Sequence, residues 1–373
     1  MDVPRTLFVT NDFPPRVGGV QQYVFNLVRN FTPDRVAVLA PNWPGWRAHD
    51  AALPFPVYRF PPSFLWPTED LARKARGLIR EHGSEIVVFG HGLPLSLLGS
   101  RLGAPYISLT HGTEYWFSLL PGTATALRRA TERAARVTAI SRFTGRVIRT
   151  VVRPDVPVSL LPPGVDIERF RPADVGGDVR RRYGLFDRPV VACVSRLVER
   201  KGQDVLIRAM PAIRRRVPDA CLLIVGGGPD RPRLETLASS APAGSVILAG
   251  ELADDVLPSV YAAADVFAMP CRSRFAGLEV EGFGIVFLEA AASGKPAVAG
   301  NSGGAAEAVM DGETGLVVDG RHEGAVAEAV SALLADPARA AAMGKAGRAR
   351  AERLFAWPRL ADRLARWLSE AAG

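Results

Sequence analysis

The chain has 373 residues, 48% apolar and 23% charged, with 46 Lys and Arg against 38 Asp and Glu for a net charge of +8. Length divided by about 150 predicts two or three domains, and the apolar share, with six Trp and 17 Phe, supports buried cores and excludes a disordered chain. No run approaches the roughly 18 uninterrupted apolar residues of a membrane span, and Met-Asp-Val-Pro-Arg has no signal-peptide character, so a cytoplasmic protein is predicted. Three cysteines without a Cys-x-x-Cys pair and five histidines without His-x-x-x-His spacing argue against a disulfide framework and offer no metal site.

Short β-branched runs, each followed by a turn and an amphipathic segment, recur at 6–10, 36–40, 86–89, 106–110 and 137–140. The rhythm breaks over 162–181, where Pro162-Pro163-Gly164 and Val175-Gly176-Gly177 intervene. It restarts at 190–195, 222–225, 246–249, 266–269, 297–299 and 315–318. Such alternation predicts parallel sheets covered by helices on both faces. The fold class is therefore α/β, with two Rossmann-like doubly wound domains at about 1–165 and 182–355. Beyond 323 the chain turns Ala/Arg/Leu-rich and helical, and Trp357-Pro358 starts a last amphipathic helix. Two such domains facing a central cleft would hold a ligand at their strand C-termini.

The basic excess lies in residues 1–165, which hold 19 Arg and Lys against 11 Asp and Glu, while the remainder is balanced. Arg128, Arg129, Arg133, Arg136, Arg142, Arg146, Arg149 and Arg153 would attract an anionic membrane surface if they share helix faces, with Trp43, Trp46, Phe64 and Trp66 as docking aromatics. Solvated helix faces and core aromatics are the alternative. The absence of interleaved aromatics or a recognition signature argues against nucleic acid.

The strand at 6–10 runs through Asn11-Asp12-Phe13-Pro14-Pro15-Arg16 to Gly18 and Gly19, which open a helix and offer bare N–H groups to an anion. The strand at 106–110 delivers His111 and Gly112 at its tip. After 190–195 come Arg196 and Lys201, two cations spaced to clamp a departing pyrophosphate, with solvated surface charges as the alternative. Gly226, Gly227 and Gly228 remove every Cβ from the next turn, which suits the approach of a ligand. The strongest signal is 277–289, where Glu281 and Glu289 flank the turn Gly282-Phe283-Gly284 and a helix beginning near Gly284. Two carboxylates and free N–H groups there suit the two ends of a nucleotide sugar. Gly303-Gly304 adds a further turn, and the loop 272–276 has no assigned role.

Taken together, Gly18-Gly19, Thr110-His111-Gly112, Pro163-Gly164-Val165-Asp166, Arg196-x4-Lys201-Gly202, Gly226-x-Gly228-Pro229 and Glu281-x7-Glu289 resemble the family-4 retaining glycosyltransferases of GT-B fold over nearly the whole chain. Residues 10–16 and 277–289 are most similar to actinobacterial members that move mannose from GDP-mannose to a phosphatidylinositol mannoside. The resemblance implies an acceptor-binding N-terminal domain, a nucleotide-sugar-binding C-terminal domain, and a last helix, about 356–373, packing back on the first. It implies catalytic roles for His111, Arg196, Lys201 and Glu281. Donor contacts would come from Gly18, Gly19, Arg196, Lys201, Gly226, Gly228, Leu252, Glu281, Phe283, Gly284, Ile285 and Glu289. Neither metal nor cofactor is implied beyond the GDP-mannose donor. The partners would be a nucleotide sugar, a glycolipid acceptor and the anionic inner face of the plasma membrane, where α-1,6 mannosyl transfer would serve cell-envelope phospholipid synthesis. A UDP-sugar transferase with a soluble acceptor, a nucleotide-sugar 2-epimerase and a non-catalytic sugar-nucleotide-binding protein are the alternatives.

Overall fold

The computed structural model describes residues 1–61, 63–173 and 175–373. The polypeptide divides into two compact units, Met1–Pro163 with Trp357–Gly373, and Gly164–Ala356. The break at Pro163 gives the second unit the whole stretch left unassigned between the two sequence-derived domains, together with residues 164 and 165. Helix Gly177–Arg182 lies there, with Arg180 pairing to Asp265 at 3.1 Å.

The first unit is built on seven parallel strands, β1 (Thr6–Val9), β2 (Val36–Pro41), β3 (Val57–Phe60), β4 (Ile86–Phe89), β5 (Tyr106–Ser108), β6 (Arg136–Ala139) and β7 (Val158–Leu160), in the order β3-β2-β1-β4-β5-β6-β7. In the register Thr6 lies opposite both Val36 and Ile86. Strands β1, β2 and β4 are buried along their whole length, and so read in sequence as continuous apolar runs. The two strands missing from the sequence reading, β3 and β7, are the sheet's edges and only partly buried, so no continuous apolar run marks them.

Helix Trp357–Ala372 completes this unit. The Trp357 ring packs edge-on against Tyr23, and Arg136 reaches Glu370 at 3.0 Å while lying over the Trp367 ring. Arg136 is thereby withdrawn from the arginine group, as are Arg149, which bonds the Val158 carbonyl, and Arg153, which chelates Asp155. Arg128, Arg129, Arg133, Arg142 and Arg146 stay exposed.

The second unit has six parallel strands, β8 (Val190–Val194), β9 (Cys221–Val225), β10 (Val246–Gly250), β11 (Val266–Met269), β12 (Ala297–Gly300) and β13 (Gly315–Val318), in the order β10-β9-β8-β11-β12-β13. All six appear in the sequence reading. Cys193 and Cys221 are buried in β8 and β9 as core residues, and burial pushes the Cys193 thiol up to about 12. In both sheets the strand order reverses beside the first strand, so crevices open at the C-terminal ends of β1 and β4 and of β8 and β11. Of the residues singled out in the sequence as donor contacts, all but Glu289, which lies within helix Ile285–Ala292, are in the segments that leave strand C-termini or open the helices that follow.

Candidate active site

In the second unit, the turn after β8 carries Arg196 and, through the short turn Glu199–Lys201, opens helix Gln203–Arg216. The Arg196 side chain is exposed and makes no ion pair or hydrogen bond among the described residues. Its backbone is fixed from below by buried Gln203, whose Nε2 donates to the Arg196 carbonyl at 3.0 Å and to Ser195 Oγ at 2.8 Å.

Gly226 and Gly228 follow β9 with φ of +137° and +155°, and a Cβ at either would overlap the carbonyl of Ser195 or Leu197. The Leu197 N–H donates to the Gly227 carbonyl at 2.8 Å. These glycines are thus explained by packing of their loop on the Arg196 turn. Ligand approach, the reason expected from the sequence, is not needed to account for them. Leu252 lies half-buried in the loop after β10.

The segment after β11 folds back on itself where Arg274 and Glu279 exchange backbone hydrogen bonds, and then presents Glu281, 7% exposed. The Glu281 N–H donates to Ser302 Oγ and its carbonyl accepts from Gly304, so the turn after β12 holds this backbone in place. Glu281 Oε2 receives Lys201 Nζ at 2.7 Å and Arg200 Nη1 at 2.6 Å. Burial alone would push this carboxyl up, but the Lys201 and Arg200 charges outweigh it and hold it below the ordinary range. Two residues given separate roles by the sequence are therefore one ion pair, joined by an arginine that the sequence reading passed over. Arg200 adjoins Lys201 in an exposed-looking turn, and nothing local distinguishes it from a solvated charge.

Phe283 is buried against Phe355, and Gly284, φ +86°, caps helix Ile285–Ala292. Among the described residues no side chain caps that helix, and no acidic residue sits in its first turn, so its N-terminal N–H groups keep their positive field. Glu289, on the same helix, accepts the hydroxyl of buried Tyr261 at 2.6 Å. Burial, only partly offset by that hydroxyl and by the Arg169 charge, raises its carboxyl above the ordinary range. Tyr261 and Arg169 carried no sequence signal, since an aromatic in a helix reads as core.

In the first unit, Gly18 caps helix Gly19–Val28 without a side-chain hydrogen bond. A Cβ at Gly18 would overlap the Gln21 side chain, whereas at Gly19 it would meet nothing within 4 Å. Gly19 therefore has no packing reason to lack a side chain. The His111 Nε2–H donates to the Gly90 carbonyl at 2.7 Å, which leaves Nδ1 as the acceptor. Burial, reinforced by neighbouring His91, lowers the His111 pKa to about 3. The ring is neutral at any working pH, and its NMR carbon shifts should stay constant between about pH 5 and 8, where a free histidine titrates. A midpoint near 6.5 would contradict this geometry.

Around His111 stand residues to which the sequence reading assigned no role. Fully buried Glu114 accepts the N–H groups of Gly92 at 3.2 Å and His111 at 3.0 Å, tying the turns after β4 and β5 together. Asp12 accepts from Gln21 and lies 3.3 Å from His91 Nδ1. The Gly90-His91-Gly92 triplet repeats the strand-tip His-Gly pattern of His111-Gly112, a signal that was available.

The profile "Glycosyltransferase Family 4" matches residues 17–169, and "Glycosyl transferases group 1" matches residues 178–350. The chain is 50% identical over 376 aligned residues to the GDP-mannose-dependent α-(1-6)-phosphatidylinositol monomannoside mannosyltransferase of Mycolicibacterium smegmatis, covering 97% of this chain and 98% of that protein. The chain belongs to the family-4 glycosyltransferases. A second relative, the GDP-mannose-dependent monoacylated α-(1-6)-phosphatidylinositol monomannoside mannosyltransferase of Corynebacterium glutamicum, is 42% identical, with 96% of each chain covered. The fold of this family-4 glycosyltransferase also matches that of Anabaena HepE, solved in complex with UDP, at a TM-score of 0.81 and 21% identity over 98% of this chain and all of that one. Both Rossmann-like domains of the GT-B class are thereby accounted for.

Proposed function

We propose that this glycosyltransferase moves mannose from GDP-mannose to a phosphatidylinositol monomannoside, forming an α-1,6 linkage with retention of configuration. The observation that carries the proposal is the nearly end-to-end 50% identity with the M. smegmatis enzyme of that name. The local chemistry supports glycosyl transfer. Arg196, Lys201 and the uncapped N-terminus of helix Ile285–Ala292 supply positive charge for a departing diphosphate. In this reading Glu289, with one oxygen held by Tyr261, accepts ribose hydroxyls with the other. Glu281 and the N–H groups of Phe283, Gly284 and Ile285 hold the hexose, and His111 Nδ1 accepts one of its hydroxyl protons. Gly19, open to approach, admits the β-phosphate. The bond from C1 to the β-phosphate oxygen breaks as the acceptor oxygen bonds to C1 on the same face, and the acceptor's proton passes to the departing phosphate. The donor is the only small molecule this scheme requires, so turnover should persist in excess EDTA.

The test is to incubate the protein with GDP-mannose, UDP-glucose or UDP-N-acetylglucosamine, each with and without phosphatidylinositol monomannoside in vesicles. A dimannoside should form from GDP-mannose and lipid acceptor together. Transfer from a UDP sugar, or no transfer from any donor, overturns the proposal.

In this reading the enzyme works at the inner face of the plasma membrane. Trp66, 60% exposed and lying beside Phe64, and the exposed Trp116, Leu119 and Leu120 suit contact with lipid, and the exposed arginines suit anionic headgroups. Trp43 and Trp46 suit it less, because both are half-buried under Arg16 and Arg47. Binding to anionic vesicles should fall as salt rises from about 0.05 to 0.5 M, since the screening length shortens several-fold. Salt-independent partitioning would count against the arginines.

A further inference from the structure

Six charged residues form a ladder of alternating sign between the turn Glu199–Lys201 and the fold-back after β11. Arg274 lies 2.7 Å from Glu199 and 3.1 Å from Glu279. Arg200 lies 3.6 Å from Glu279 and 2.6 Å from Glu281, and Lys201 meets the same Glu281 oxygen at 2.7 Å. The outer rung at Glu199 is 45% exposed at its side chain, whereas the Glu281 side chain is 9% exposed. Exposed pairs contribute little, so the pairings at Glu281 are the ones with energetic weight. Around Glu281 the other facing groups are the Ser302 hydroxyl, which binds its N–H, and buried Cys271, whose thiol burial pushes up to about 12 and keeps neutral.

This arrangement sets a constraint on Lys201. One ammonium cannot fully neutralise both Glu281 and a diphosphate, and a desolvated carboxylate stripped of its counter-charge is strongly unfavourable. Arg200 meets the constraint, because it already contacts the same oxygen and is anchored from behind by Glu279. We propose that Arg200 is a positioning residue, keeping Glu281 neutralised and oriented so that the Lys201 ammonium can turn to the donor diphosphate. The inference rests on the donor-site reading of Lys201 and Glu281 above, and it gives the 272–276 loop a role as part of the Arg200 anchor, through Arg274.

The probe is GDP, which carries the diphosphate without the hexose, titrated calorimetrically into the full chain. Arg200→Met should weaken GDP binding about tenfold, because Glu281 then retains Lys201, while Arg200→Lys should stay within about threefold of the parent. In the Glu281→Gln background nothing competes for Lys201, so adding Arg200→Met should change GDP affinity by less than about threefold. A purely structural Arg200 would weaken binding in both backgrounds. The proposal is overturned if Arg200→Met binds GDP like the parent, or if the double variant remains tenfold weaker than Glu281→Gln alone. Should Arg200→Met not fold alone, the comparison within the Glu281→Gln background decides. Unchanged GDP binding by Lys201→Ala would overturn the donor-site reading itself, and this proposal with it.

Discussion

Lys201→Ala should lower kcat by about 10²–10³-fold, the usual effect of deleting one preorganised group that meets charge developing in a transition state. The fold should survive, because Glu281 keeps Arg200 as a counter-charge and is not stranded when Lys201 is lost. Arg196→Ala should show a comparable loss of kcat with even less effect on folding, since that side chain is exposed and makes no ion pair or hydrogen bond among the described residues. Steady-state kinetics beside a thermal melt separates the two effects. Near-parental kcat in both variants would remove the cation clamp from the mechanism, and melting temperatures that fall with activity would reduce it to a folding defect.

Asp204→Ala should destabilise the second unit by about 3–5 kcal/mol, the range for breaking a buried ion pair from one side. Asp204 is 3% exposed and accepts both forks of Arg272 at 2.8 and 3.0 Å, with Arg208 at 3.1 Å and Arg233 at 3.4 Å. It therefore joins helix Gln203–Arg216, helix Arg231–Ser239 and the loop after β11. Burial would push its carboxyl up, but the Arg272 hydrogen bonds and the three arginine charges prevail and lower it. A depressed carboxylate stabilises the fold above its unfolded pKa and loses that contribution as pH falls through the folded one. Acid should thus erode the parent's stability more than that of Asp204→Ala. Glu289 has the opposite sign, since its raised carboxyl makes ionisation a cost that grows as pH rises through the weakly acidic range. Urea melts followed by circular dichroism at several pH values test both. All six tryptophans, Trp43, Trp46, Trp66, Trp116, Trp357 and Trp367, belong to the first unit, so their fluorescence would not report this change. A loss below about 1 kcal/mol would show that the three arginines rearrange freely.

Legibility in the sequence followed composition more than burial. Strands covered on both faces announce themselves as apolar runs, as in β1, β2, β4, β8, β9, β11 and β12, whereas the partly buried edges β10 and β13 were readable only because they too are apolar, and the edges β3 and β7, interrupted by Arg59 and Ser159, were not. Residues at strand tips were equally readable, because chain order alone delivers Arg196 and His111 there, and Glu281 was marked instead by the Gly-rich turn that opens helix Ile285–Ala292. Their partners were hidden by distance along the chain. Lys201 and Glu281 are 80 residues apart and Tyr261 and Glu289 are 28 apart, so no local pattern marks either pairing. The glycines at 226 and 228 stood out for a real constraint, since a Cβ is excluded there by the neighbouring turn.

The helix Trp357–Ala372 makes the first unit discontinuous, with the whole of Gly164–Ala356 inserted in it. On the ribosome, at about 5–20 residues per second, the seven-stranded sheet would wait roughly 10–40 s after its last strand emerges before Trp357 arrives to cover Tyr23. The inserted unit is complete before then, so the later half of the gene product matures first. A nick or tag that disturbs the final helix should therefore injure the first unit, at the opposite end of the message, and leave the second unit folded.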